Sequence, residues 1–334
     1  MVFLKKLCVS VIFFILIILG FNIYQDPFNY RAEISNNSSL EIYMYPYKLN
    51  HIKNFKPSSL IIGDSIVADG INPQSYFGND SYNASVYGIH MLEVEKYFNE
   101  ITQTYIPTNI LFSINIGQLN LNRPEINSYD RFNQFSGNTK KSKINLMFVF
   151  LKNHFDFIVF KSAVQIFLRN GNSFNAYGFN SEKNTDFGKY PIDRTMYCNI
   201  SIKELEKDLT EFSTLITDKS TIESVQKILE KAYFYNINVE ILFPPFNKLA
   251  YDKINQLNLI NKFEDIKKTI ININTTLANS YNKKPFKLLD LSNINEITSN
   301  DCSQSIYYPD AMHITPEVGN IIKDKFTNFQ ENIQ

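Results

Sequence analysis

The chain has no tryptophan among its 334 residues, only three cysteines and four histidines, and no surplus of charge, since 33 Lys and Arg face 33 Asp and Glu. Each shortage excludes something. With no net charge and no basic stripe interleaved with aromatics, nothing gathers a polyanion, so nucleic acid is not an expected partner. Three cysteines cannot staple a chain of this size, which must rest on its core. Neither a CxxC pair nor a His-rich cluster is present, so no metal site and no cofactor are expected. Of the histidines, His90 and His154 read as satisfied core or surface residues and His51 as a surface residue ahead of the first strand.

What is present begins with an uncharged run from Leu7 to Tyr24, preceded by Lys5 and Lys6. As a helix it spans about 27 Å, one bilayer core. The two lysines favour a cytoplasmic N-terminus, and the bulky stretch Gly20-Phe21-Asn22-Ile23-Tyr24 offers no small-residue cleavage site. The expectation is a single-pass signal anchor over residues 7–24 in the cytoplasmic (inner) membrane. Residues 1–6 are then cytoplasmic, and the rest lies on the periplasmic or extracellular side. A cleaved secretory signal is the alternative, and it puts the body on the same side. Cys8 lies in the anchor, which leaves Cys198 and Cys302 as one candidate disulfide in a compartment where it would persist.

Residues 25–57 are polar and Tyr-rich and read as a stalk or an arm wrapping the domain. From residue 58 to 330 an α/β rhythm follows. Ser59–Ile62 is apolar on both faces, as a buried parallel strand is, and ends at Gly63. Ser81–Ala84, Asn109–Ile114, Ile237–Phe243 and Phe286–Asp290 read as further strands. Helical patterns fall over Met91–Ile101, from Ser220 onward, and as one helix over about Tyr251–Ser280. Strands alternating with helices predict a parallel sheet covered on both faces, with ligands beyond the carboxyl ends of the strands. Residues of about 119–200 break the rhythm and read as an insertion. Charges at Lys152, Asp156 and Lys161 argue against a second membrane span within Ile144–Leu168, and the aromatic loop Phe174–Tyr190 reads either as packing or as a surface for sugar rings.

Two short motifs carry chemistry. Gly63-Asp64-Ser65 places a serine at the carboxyl end of the first strand, with Asp64 expected to cap the following helix. Alone it is an ordinary turn composition. Near the other end, Asp310-Ala311-Met312-His313 sets a carboxylate three residues before a histidine, ahead of a helix with Thr315 as expected N-cap and Pro316 in its first turn. A serine nucleophile needs a base, and the base needs a carboxylate on its other ring nitrogen to fix its tautomer. Ser65, His313 and Asp310 meet that requirement.

On these blocks the chain resembles the SGNH, or GDSL-type, hydrolases, whose nucleophile lies in a Gly-Asp-Ser block and whose Asp-x-x-His block closes the domain. The resemblance implies a flavodoxin-like three-layer α/β/α sandwich. The stretch Tyr82-Asn83-Ala84-Ser85-Val86-Tyr87-Gly88 resembles the family's second block, which makes Gly88 an oxyanion donor beside the amide of Ser65. The third block departs from the family's G-x-N-D. Here Asn115-Ile116-Gly117-Gln118-Leu119-Asn120 leaves Asn115, Gln118 or Asn120 as the third donor, with Asn115 the first choice, or leaves that donor absent. The anchor, Asp26-Pro27, Gly70-Ile71-Asn72-Pro73 and the Tyr308–Gly319 ending narrow the likeness to anchored proteins similar to alginate and other polysaccharide O-acetyltransferases. That subgroup implies a polysaccharide acceptor and a membrane-bound O-acyltransferase as partner. A surface esterase and a non-catalytic glycan-binding scaffold are the competing expectations.

Overall fold

The computed structural model describes residues 2–25, 44–119, 164, 198–203, 205–206, 219–299, 302 and 306–331. The loop Phe174–Tyr190, His154 and all of Ile144–Leu168 except Val164 lie outside the described residues. The first helix, α1 (Val2–Gln25), is apolar all round. Its segment Lys5–Tyr24 has a mean hydropathy of 2.6, so it is long and apolar enough to cross a membrane.

After α2 (Met44–Phe55) the chain alternates: β1 (Ser59–Ile62), α3 (Ser65–Gly70), α4 (Pro73–Phe77), β2 (Ser81–Asn83), α5 (Met91–Thr104) and β3 (Asn109–Ser113). The second half supplies α6 (Lys219–Phe234), β4 (Asn238–Phe243), α7 (Lys248–Gln256), α8 (Leu259–Ser280), β5 (Lys287–Asp290) and α9 (Pro316–Glu331). The strands form one parallel sheet in the order β2-β1-β3-β4-β5. This is the strand order of flavodoxin-like doubly wound folds.

Period-two alternation sends each strand's side chains to two separate cores. Leu60, Ile62, Ile110, Phe112, Val239, Ile241 and Phe243 pack with α2, α5, α6 and α8. Ile61, Leu111, Leu242 and Leu289 pack on the opposite face with α3 and α9. Every residue of β1 is buried, as its unbroken apolar run requires. Each fully buried Ile, Leu or Phe contributes roughly 1.5–3 kcal/mol relative to exposure, so the two layers together are the main source of stability.

Three expectations differ from the structure. The supposed arm is, from Met44 on, the helix α2, with Met44, Leu49 and Ile52 in the core. Its apolar face was hidden by tyrosines and a lysine that the pattern reads as polar. His51 is buried, 8% exposed, because its ring stacks on Tyr82 with centroids 4.4 Å apart. The single helix over Tyr251–Ser280 is two, broken at Asn258, whose φ of 55° is left-handed.

His51 generates a test. Burial, with the Lys48 charge adding to it, lowers its pKa to about 4, against 6.5 in the unfolded chain. Between those values the unfolded state binds more protons, so stability rises with pH across about 4 to 6.5 and is lost on acidification. The size is up to about 3 kcal/mol. Thermal unfolding in detergent of wild type and His51→Phe at pH 4, 5.5 and 7 should show the wild type losing more stability than the variant toward pH 4. Parallel losses would refute the assignment.

Candidate active site

Ser65 opens α3 directly after β1, so its half-buried side chain lies at the carboxyl edge of the sheet. The turn needs a glycine before it. A Cβ on Gly63 would lie 2.5 Å from Val67 Cγ2 and 2.9 Å from Ser113 Cβ. Asp64 caps α3, its Oδ1 accepting from the Ile66 amide at 3.1 Å. The cap fixes the backbone on both sides of Ser65.

The second block is tied to the same loop. Ala84 and Val86 amides donate to the carbonyls of Ile61 (2.8 Å) and Gly63 (3.1 Å). Buried Asn83 donates through Nδ2 to the carbonyls of Val67 (2.9 Å) and Ile71 (3.0 Å), tying β2 to α3. Gly88 follows in a turn with φ of 64°, a conformation suited to glycine.

The Asp-His block forms a closed loop. The Thr315 amide donates to the Tyr307 carbonyl (2.9 Å), and the Thr315 hydroxyl donates to the Ile306 carbonyl (2.8 Å). Thr315 thus closes the loop with the hydroxyl that was expected to cap α9. Inside the loop, His313 Nδ1 lies 2.7 Å from Asp310 Oδ2. Asp310 Oδ1 accepts from the amides of Met312 (2.7 Å) and His313 (2.8 Å). Burial opposes the Asp310 charge, but the His313 charge and these hydrogen bonds outweigh it and hold the carboxyl below its ordinary value. With the proton on Nδ1 directed at the carboxylate, Nε2 is left as the basic nitrogen.

Residues that sequence reasoning missed hold this loop in place. Fully buried Asn247, the N-cap of α7, donates through Nδ2 to the Asp310 carbonyl at 3.1 Å. Tyr308 donates to the Phe246 carbonyl at 2.8 Å. The Ala311 amide donates to Ser201 Oγ at 3.0 Å. Cys198 and Cys302 are disulfide-bonded, which ties the Ser201 segment to the chain leading into the loop. An Asn following Pro244-Pro245 at a strand end was the available signal for Asn247; the Ser201 contact left none.

Asp310 and His313 are therefore bonded to each other, and Ser65 lies at the same sheet edge. Among the described residues no hydrogen bond joins Ser65 to His313. The two segments meet through α3 and α9. A Cβ on Gly319 would collide with the Gly70 carbonyl oxygen, and one on Gly70 would collide with Ile314 Cγ1 and lie 3.0 Å from the Ile314 carbonyl.

Asn115 is brought to the site in a way the sequence did not suggest. Its Nδ2 donates to Asp64 Oδ2. Its amide donates to Gln118 Oε1 (2.9 Å), while its Oδ1 accepts from the Gln118 amide (3.0 Å). The backbone N–H of Asn115 is thus already engaged, and Gln118 Nε2 is buried with no hydrogen-bond partner among the described residues. Asn120 lies outside the described residues.

No family model matches the chain, and no curated protein or solved structure matches it closely enough to be counted a relative.

The Gly319 contact is testable. Gly319→Ala sets a methyl against backbone rather than a flexible side chain, so it should destabilise the protein by about 1–3 kcal/mol. Thermal unfolding checks it, and an unfolding temperature equal to that of wild type would show that α9 can shift without cost.

Proposed function

We propose that the protein is an SGNH-like serine acyltransferase that places acyl groups, acetyl first among them, on an exported or cell-surface polysaccharide. The observation that carries this reading is the Asp310–His313 pair, locked at 2.7 Å in a closed loop at the sheet edge where β1 delivers Ser65. The strand order 2-1-3-4-5 supports the flavodoxin-like sandwich that the resemblance implies.

In this mechanism His313 Nε2 takes the Ser65 hydroxyl proton as Oγ adds to the acyl carbonyl of the donor. Amides of Ser65 and Gly88 stabilise the oxyanion, while Asn115 Nδ2 stays bonded to Asp64. Collapse breaks the bond to the leaving group, which takes the proton from His313, and leaves acyl-Ser65. A sugar hydroxyl then loses its proton to His313 as it attacks the acyl-enzyme; the Ser65 Oγ–acyl bond breaks and His313 returns the proton to Oγ, giving the acylated glycan and free Ser65. Asp310 holds the imidazole and stabilises its charged form throughout.

Helix α1 fits a single-pass anchor, with the domain on the outer side of the cytoplasmic membrane and a membrane-bound O-acyltransferase as donor. A non-catalytic scaffold is the second reading. It is favoured by the engaged Asn115 amide and the missing Ser65–His313 hydrogen bond.

Incubation of the detergent-solubilised full chain with an aryl acetate should add one acetyl group to Ser65, read by peptide mass. Ser65→Ala should abolish the adduct, and Asp310→Asn should slow its formation about 10⁴-fold. Absence of any adduct would favour the scaffold. Added glycan oligomers should accept the acetyl in preference to water; hydrolysis alone would point to an esterase.

A further inference from the structure

Two lysines of α2 have different surroundings. Lys53 pairs with Glu100 at 3.0 Å near the surface. Lys48 is fully buried, and its Nζ donates to the Ser85 carbonyl at 2.8 Å. That carbonyl heads a short run of bonded peptide units. The same peptide ends in the Val86 N–H, which donates to the Gly63 carbonyl at 3.1 Å, and the Gly63 peptide ends in the amide of Asp64, next to Ser65. Such units polarise one another along the run.

The turn is gripped from its other side as well. Tyr87 donates its hydroxyl to Asp69 Oδ1, and Asp69 is buried on α3, the helix that Ser65 opens. Gly88, the matching oxyanion position, is the next residue, and its positive φ confines it to this turn. Segment 85–88 is therefore held between a buried cation on α2 and a buried carboxylate on α3.

We propose that Lys48 and Asp69, the latter through Tyr87, are positioning residues that hold the Gly88 amide at the acyl group; this rests on the serine acyl-transfer reading above. A water or a neutral side chain would satisfy the Ser85 carbonyl more cheaply, because a buried ammonium is costly even when it is bonded. Burial drives the Lys48 pKa down to about 7 against the pull of Asp69. Among the described residues Asp69 raises its pKa, and His51, one turn along α2, is itself held neutral by burial. In its ammonium form Lys48 favours the negative charge that grows on the acyl oxygen and keeps the turn from relaxing.

The test is single-turnover acylation of Ser65 by an aryl acetate, using the full chain in detergent. Lys48→Met should slow acylation by the folded fraction about tenfold or more, with little change in the half-saturating ester concentration. Tyr87→Phe, which removes only the hydroxyl that reaches Asp69, should slow it several-fold. A purely structural lysine would leave the folded fraction acylating at the wild-type rate. Acylation by Lys48→Met within about twofold of wild type overturns the proposal. If that variant does not fold, the same threshold applied to Tyr87→Phe decides. Wild-type protein that never acylates Ser65 overturns both readings, whereas normal acylation in wild type and both variants overturns only this one.

Discussion

The close approach of α3 and α9 at Gly70, Ile314 and Gly319 is the contact on which the arrangement of the site depends. The serine lies near the start of the domain and the histidine near its end, so no local structure relates them. A helix pair that meets at glycine backbone as well as through packed side chains leaves little freedom to slide. With Ile314 directly after His313, the packed residue and the proposed base are neighbours in sequence. Fixing one restricts the other.

Around that contact the structure uses backbone hydrogen bonds to set positions that side-chain packing alone would leave loose. Ala84 and Val86 bind the loop after β1, Asn83 binds the body of α3, and Thr315 closes the Asp-His loop on Tyr307 and Ile306. Each buried bond contributes a net ~1 kcal/mol, but losing one partner strands the other at a cost of roughly 1–3 kcal/mol. Such bonds therefore act more as constraints on geometry than as sources of stability. The disulfide and Ser201 extend the same logic to the segment that enters after the insertion.

The sequence made much of this legible because its signals were local. Strand β1 is found where the apolar run Ser59–Ile62 placed it, and the other strands differ by a residue at an end. Asp310 and His313 are three residues apart, so their pairing follows from spacing. What could not be read depends on contacts between distant segments. Lys48 looks like a surface residue until the Ser85 carbonyl, 37 residues away, is beside it. Asn258 carries no glycine to announce its left-handed turn. Asn115 and Asp64 meet across two strands whose adjacency the topology alone determines.

The third block shows how far an irregular motif differs from an empty one. Asn115 and Gln118 exchange side-chain and backbone bonds in both directions, so the turn after β3 is a rigid unit rather than a loop. The unit aims Nδ2 of Asn115 at Asp64, a carboxylate one residue from the proposed nucleophile. Left unbound, that carboxylate would oppose the negative charge an acyl-transfer step must build nearby. Bound by Asn115 and by the Ile66 amide, its charge is partly met by hydrogen bonds that already exist before any substrate arrives. The same end of β3 carries two buried polar atoms, Ser113 Oγ and Gln118 Nε2, that have no hydrogen-bond partner among the described residues. Ser113 packs against Gly63 and Gln118 bonds Asn115, so both belong to the layer beneath the Gly63–Ser65 turn.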